Sequence, residues 1–443
     1  MLKLNNFASF KISLIPYIAS IFILSFLFEN YFKFELGFSR LSIVEIIFII
    51  MFFLTLIIYK FSFIKFIFKI DTQNILEIII YSILILKIIK YSLNFQNYYN
   101  LYELLIWIYM LSIYIVFKFY LINYKNLISY IENSFIALSL AVSAHILYSF
   151  LLYKSGYDAN GLWTIKDTTY YPYIGTSSIN FKSIFSDYNQ AAHLVAPGFL
   201  FLLNRFNNKL IFALLIIFYS AVMFLMKSKF LIIFFGILTI YLIINNLNLK
   251  NIKLTKLFII SSIIGLTLFY IIITHLVIIE RGIINSSNFH LFKLNYFTDF
   301  VIPLNNYDIY GSLFLKLKYT VVEIASSYDY ILFENLNYFN HQVVLKNFDY
   351  YIDPHSDYFG ALANYGIVGF LLFLGFPIYI VLEYLKNFNL KKSFKESLIY
   401  FLIIQMILIE AIIIDIFHTQ FIWVIFAIYV FNVHLKKSIK YNL

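Results

Sequence analysis

Runs of apolar residues recur along this chain at close to the length needed to cross a membrane. They fall near residues 12–28, 41–59, 75–93, 102–122, 135–153, 190–203, 210–226, 230–244, 257–279, 358–383, 397–415 and 418–433. A bilayer core about 30 Å thick takes a helix of roughly 20 apolar residues, and helices are the form in which such runs satisfy their own backbone. With 62% hydrophobic residues, 13% charged residues and a mean hydropathy of +0.83, the composition excludes a water-soluble domain. The expected fold class is an all-α polytopic integral membrane protein with about 12 transmembrane helices and a large extracytoplasmic loop before the tenth. The first run lacks a small-residue cleavage site, so it reads as a retained helix and not a removed signal peptide.

Basic residues set the orientation. With a cytoplasmic N-terminus, the inner loops hold Lys60, Lys65, Lys69, Lys118, Lys125, Arg205, Lys209, Lys250, Lys253, Lys256, Lys386, Lys391, Lys392 and Lys395, while the short outer turns hold few. That alternation obeys the positive-inside rule and puts both termini in the cytoplasm. The net charge of +10 therefore belongs to inner loops and does not point to nucleic acid. Cysteine is absent, which removes disulfides and thiolate metal sites. The expected division is five helices in residues 1–153, a first long outer loop at 154–188 and four helices in 189–279. A large outer loop at 280–357 follows, then three helices and a cytoplasmic tail in 358–443. Loops of such length are usually functional.

Soluble-enzyme signatures are missing: there is no phosphate-binding glycine loop, dinucleotide fingerprint, zinc-protease helix or nucleophile elbow. What stands out lies on the outer side. Lys227-Ser228-Lys229 puts two cations in a turn where the charge rule expects none, which argues for an anionic partner there. The stretch from Asp353 through Leu374 begins polar and becomes a membrane-length apolar run. Asp353-Pro354 is a helix-start signal that puts His355 in the first turn, a spot suited to a phosphate. Small residues, Ala361, Ala363, Gly366 and Gly369, are expected to let another helix approach closely. Among the other histidines, His145 and His193 read as polar contacts between helices, with His193 the stronger functional candidate; Glu410 and Asp415 are candidates for a buried pair.

At these residues the chain resembles the O-antigen ligase and polymerase family of bacterial envelope glycosyltransferases. The resemblance rests on His355-Ser356 followed by Gly366-Ile367-Val368-Gly369 at the end of a large outer loop. It rests also on Lys227-Ser228-Lys229, where the family has a Ser-Arg turn, and on the polar helix start Ser186-Asp187-Tyr188-Asn189. Lys316 or Lys318 corresponds to the family's loop arginine, and Arg281 is a second basic candidate. The likeness spans about Asp187 to Leu374.

The resemblance implies a metal-independent glycosyltransferase in the bacterial inner (cytoplasmic) membrane, with no cofactor and no nucleic-acid partner. Its substrate would be an undecaprenyl-diphosphate-linked oligosaccharide, with membrane lipid, a chain-length regulator and a flippase as partners. His355 would be catalytic, either as the base for the incoming hydroxyl or as a phosphate ligand. Lys227, Lys229, Arg281 and Lys318 would hold the substrate diphosphate, with Asn189, His193 and Ser356 in support. The leading expectation is a polymerase of repeat units for O-antigen or capsule. The alternatives are a ligase onto lipid A core and, from another class, a flippase for lipid-linked sugars.

Overall fold

The structure is a computed structural model that describes residues 14–29, 32–36, 39–68, 74–93, 95, 98–124, 126–156, 166–171, 176–181, 188–206, 208–226, 230–246, 255–268, 357–387, 394–411 and 417–432. These residues are nearly all helical. In chain order they form α1 (Leu14–Phe28), a hairpin of β1 (Lys33–Leu36) and β2 (Ser39–Ser42), then α2 (Ile43–Tyr59), α3 (Phe61–Ile67), α4 (Ile75–Leu93), α5 (Tyr98–Asn123) and α6 (Leu127–Lys154). A second hairpin, β3 (Lys166–Tyr171) and β4 (Thr176–Phe181), precedes α7 (Tyr188–Arg205), α8 (Lys209–Met226), α9 (Phe230–Asn246) and α10 (Thr255–Leu268). The last described elements are α11 (Asp357–Asn387), α12 (Phe394–Glu410) and α13 (Gln420–Val430).

Among the described residues, 3 helices are long and apolar enough to cross a membrane, or 4 when the bent pair α2–α3 counts as one span; seven further apolar helices are shorter or carry more charge. The class expected from the apolar runs, a polytopic helical membrane protein, agrees with this count. The outer faces agree as well: Ile57, Leu210, Ile217, Leu371 and Leu382 leave large apolar side chains exposed along their helices, which water would penalise and lipid accepts. By contrast, every residue of α13 is buried, and so are residues 398–410 of α12. A helix apolar all round belongs inside a bundle. These two form its centre, and an aromatic cluster packs them: Trp107 meets Trp423 at 5.0 Å, while Phe376 lies 5.0 Å from Phe417 and 5.7 Å from Phe426.

Local chemistry explains where elements begin and bend. Ser42 opens α2 with a capping box: its N–H donates to Glu45 Oε2 at 2.6 Å, and the Glu45 N–H donates to Ser42 Oγ at 3.4 Å. Lys60, held at φ 44°, turns the chain by 118° between α2 and α3. Helix α7 packs tightly on α6 because Gly198 has no side chain; a Cβ there would stand 2.2 Å from the Phe135 carbonyl oxygen. Ser139 Oγ donates to the Val195 carbonyl at 2.7 Å, and Pro197 just beyond removes the helical donor for the carbonyl of residue 193.

Two findings depart from the sequence reading. The first long loop carries the antiparallel hairpin β3–β4, registered from Lys166 opposite Phe181 to Tyr171 opposite Thr176, where no strand is expected from hydropathy. Its Phe181 packs 5.7 Å from Phe150 and 5.9 Å from Tyr153, so it is seated on the end of α6. The apolar run after Asp357 is not one straight span. Gly366 (φ 63°, ψ −160°) breaks α11 into a short helix and a long one. A Cβ on Gly369 would lie 2.3 Å from the Tyr365 Cβ, across that break. The two glycines therefore shape this chain's own bend. The described helix begins at Asp357.

Candidate functional site

One end of the bundle gathers polar side chains that its apolar surroundings would otherwise reject. The ends of α4, α7's start, α5's start, α11's start, α12's end and α13's start share that level, as their mutual contacts require. At the helical rise of about 1.5 Å per residue, Lys87, Glu103 and His193 sit only about 7–9 Å from the ends of their helices.

The first group joins α4, α5 and α11. Lys87 Nζ donates to the Tyr365 hydroxyl at 2.8 Å and lies 3.5 Å from Glu103 Oε2; the Tyr365 hydroxyl donates to the same Glu103 oxygen at 2.9 Å. Lys90 brings a second ammonium, 5.1 Å from the centre of the Tyr365 ring, and Lys87 stands 5.5 Å over Trp107. Lys87, Lys90, Glu103 and Tyr365 are all buried. Charges removed from water need close partners, and here the ion pair, the phenol and two π faces supply them. The break at Gly366 is what brings Tyr365 into the group.

The second group joins α7, α12 and the start of α11. His193 Nε2 lies 3.7 Å from Glu410 Oε1, and both side chains are buried. Neither Glu410 oxygen accepts a hydrogen bond among the described residues. A gap of that length is too long for direct bonding and short enough for one hydroxyl or water oxygen to bridge. One residue on, the Ala411 carbonyl accepts from the Asp357 N–H at 3.1 Å, and Asp357 Oδ2 accepts from the Phe417 N–H at 3.1 Å. The Tyr358 hydroxyl donates to the Leu408 carbonyl at 3.1 Å. The start of α11 is thus latched to the end of α12, beside Glu410. Phe417 in turn lies 6.5 Å from Trp107, which links the two groups.

A third buried ion pair marks the opposite end. Glu77 and Lys118 join α4 to α5 there, with the Tyr114 hydroxyl donating to Glu77 Oε1 at 2.9 Å. Toward that end too, Arg205 pairs with Glu132 at 3.3 Å.

Of the residues singled out from sequence, the structure brings His193 together with Glu410 and places Asn189 in the first turn of α7, with its side chain outside the described residues. His355, Ser356, Lys227, Lys229, Arg281, Lys318 and Asp415 all lie outside the described residues, as does the loop at 280–356. His145 bonds within its own helix, its carbonyl accepting from Ser149 Oγ at 2.8 Å, and His418 is exposed. Lys87, Lys90 and Glu103 are absent from the sequence-derived set. Their signal was available: an ionisable residue inside a membrane-length apolar run is a functional candidate by default. Among the described residues no group of three or more His, Asp or Glu stands ready to hold a metal.

The chain matches no protein-family model, no curated protein and no solved structure.

Proposed function

We propose that this chain is a polymerase that joins undecaprenyl-diphosphate-linked oligosaccharide units into O-antigen or capsular polysaccharide. It would work at the outer face of the bacterial inner membrane, with about twelve spans and both termini in the cytoplasm. The observation that carries this reading is the latch between Asp357 and Ala411. It ties the helix that begins two residues after His355 to the buried His193–Glu410 pair.

In this reaction an acceptor hydroxyl attacks the anomeric carbon of the donor sugar. The new C–O bond forms as the bond to the diphosphate breaks, and the electron pair leaves on the diphosphate oxygen. Charge developing there needs fixed cations or N–H donors, a role for Lys227, Lys229, Arg281 and Lys318. The hydroxyl gives up its proton, for which His355 is the assigned group. The buried His193–Glu410 pair lies beside the start of the helix that follows His355.

The test is a deletion strain carrying either the wild-type chain or His355→Ala, with surface glycan and lipid-linked intermediates resolved by size. For a polymerase, His355→Ala leaves a single repeat unit on the lipid A core. Bare core with long lipid-linked chains indicates a ligase. Single units trapped on the inner leaflet indicate a flippase. Normal long-chain glycan from the variant removes His355 from the site.

A further inference from the structure

Helix α3 turns an apolar side outward. Phe61, Ile64, Lys65 and, at its end, Phe68 recur at the spacing of one helical face, and all four are exposed. Phe61 and Phe68 are 76% and 81% exposed, and Ile64 is 40% exposed. The other side carries Phe63, Phe66 and Ile67. Phe63 is fully buried, 5.8 Å from Phe52 and 5.0 Å from Phe119, and Phe66 lies 5.2 Å from the same Phe119. The inner face thus fixes the helix, while two phenyl rings and an isoleucine stay uncovered among the described residues. We propose that α3 lies in the membrane interface, with Phe61, Ile64 and Phe68 in the acyl boundary and Lys60 and Lys65 binding the headgroups of anionic phospholipids. This surface is independent of the reaction that the bundle carries out.

Continuity, geometry and charge name the occupant. The outward residues of α2, Ile50, Phe53 and Ile57, are 52%, 57% and 61% exposed, and this stripe leads straight to Phe61. What covers α2 in a membrane therefore covers the outer side of α3 as well. With 17 residues, α2 is roughly 25 Å long, close to the thickness of the hydrocarbon layer. The bend of 118° then sends α3 mainly across the direction of α2. That bend sits at the end of the bundle. The Tyr59 hydroxyl bonds the Tyr124 hydroxyl just past α5, and Tyr59 lies 4.8 Å from Phe119 in the last turns of α5. A short helix that crosses its span at the membrane surface, apolar side out, has the disposition of an interfacial helix.

The charges fit the same place. Lys60 and Lys65 are both exposed, and their long stems can lie along apolar surface while the ammonium groups reach the phosphates. Lys118, by contrast, is turned inward, paired with Glu77 and 5.6 Å from the Phe66 ring. In the orientation read from the loops this end is cytoplasmic, where anionic lipids give the leaflet a negative surface potential. Lys60 also stands at φ 44° and ψ −123°, a conformation that glycine enters at less cost. A cation occupies a position for which the turn alone would select glycine.

The chain has no cysteine, so a bimane fluorophore can be attached at Ile64→Cys alone, in the full chain in nanodiscs. The quenchers are phosphatidylglycerol or phosphatidylcholine bearing a nitroxide high on the acyl chain, the same lipids with the nitroxide at the chain end, and aqueous iodide. Strongest quenching is expected from the high nitroxide, with phosphatidylglycerol favoured over phosphatidylcholine by about fivefold or more, the effect of one cation at an anionic surface. Lys60→Gln/Lys65→Gln should remove that preference. Lys60→Gly removes one charge while suiting the backbone, so it should lower the preference about fivefold with the fold intact. A label at Ile217→Cys, exposed in the middle of α8, should show no preference. Quenching by iodide and not by lipid overturns the proposal, and so does strongest quenching from the chain end, which would make α3 part of a re-entrant loop. Protection from every quencher means that a second protein or a second copy covers the face, and refutes it too. A preference for phosphatidylglycerol that survives loss of both lysines, or none in the wild-type chain, removes the headgroup contact.

Discussion

Replacing the glycines of α11 one at a time by alanine should produce effects set by backbone geometry and not by position in the sequence. Gly366 stands at φ 63° and ψ −160°, a region that is nearly closed to residues with a Cβ and costs on the order of 1–3 kcal/mol to occupy. Gly369 has ordinary angles but no room: a Cβ there meets the Tyr365 Cβ at 2.3 Å and the Ala361 carbonyl oxygen at 3.0 Å. Carbon atoms in contact sit about 3.5–4.0 Å apart, so one side of the bend must move by more than about 1 Å. Overpacking of this sort costs about 1–3 kcal/mol. The move also pulls the Tyr365 hydroxyl away from Lys87 and Glu103, now at 2.8 and 2.9 Å, and interhelical hydrogen bonds in membranes are worth up to about 1.7 kcal/mol each. Gly369→Ala should therefore destabilise by about 2–4 kcal/mol. Gly360 lies in the same helix with nothing within 4 Å of its would-be Cβ. Gly360→Ala should be neutral or stabilising by up to about 1 kcal/mol from helix propensity. Unfolding by SDS titration in mixed micelles reads all three. In a Tyr365→Phe background the Gly369→Ala effect should shrink, because part of what it breaks is already gone. Similar effects at Gly360 and Gly366, or no coupling between Gly369 and Tyr365, would refute the bend and its role in placing Tyr365.

Glu103→Leu alone should cost about 3–5 kcal/mol by stranding Lys87, whereas Lys87→Met/Glu103→Leu should recover most of that loss; equal stability of single and double variants in the same titration would argue against a buried pair. Gly198→Val should drive α6 from α7, since its Cβ would sit 2.2 Å from the Phe135 carbonyl oxygen, and a loss of about 3 kcal/mol or more is expected; Gly265→Ala, with nothing within 4 Å, serves as the neutral control. Reporter fusions at Lys253 and Lys392 should be cytoplasmic, and those at Ser228 and Asn337 exported; a cytoplasmic signal at Ser228 removes the reason for assigning Lys227 and Lys229 to a substrate.

Hydropathy made the helices legible because a membrane leaves the backbone almost no other choice. Run lengths near 75–93, 210–226 and 230–244 agree with α4 (Ile75–Leu93), α8 (Lys209–Met226) and α9 (Phe230–Asn246) within a few residues. The same measure is blind to the hairpin at Lys166–Phe181, whose Thr-Thr-Tyr-Tyr and Ser-Ser-Ile-Asn segments are too polar to register on an apolar scale. Their β-branched and aromatic content was the usable signal. The glycines of the Gly366-Ile367-Val368-Gly369 stretch were visible, but two physical roles fit them. A small-residue face and a broken helix differ only in backbone angle, which sequence does not state.

The site is harder to read for a related reason. In a chain that is 62% hydrophobic with 52 Phe and 39 Tyr, one more aromatic such as Tyr365 or Trp107 carries no information until its neighbours are known. Ionisable residues inside apolar runs are rare and therefore informative, yet an excess of Lys in loops draws attention first. Lys87 and Lys90 look like part of that background until α4 is seen to bury them against α5 and α11. Each ion pair also does double service. Glu77–Lys118 and Lys87–Glu103 fasten α4 to α5 near opposite ends of both helices, so a slide of one turn breaks both at once. An apolar seam of Ile and Leu would tolerate that slide, since each rung of it looks like the next. At one end the charges only fix register. At the other they face a helix break, a phenol and a second ammonium, and there the same device that sets the packing of α4 on α5 also fastens α11 to both.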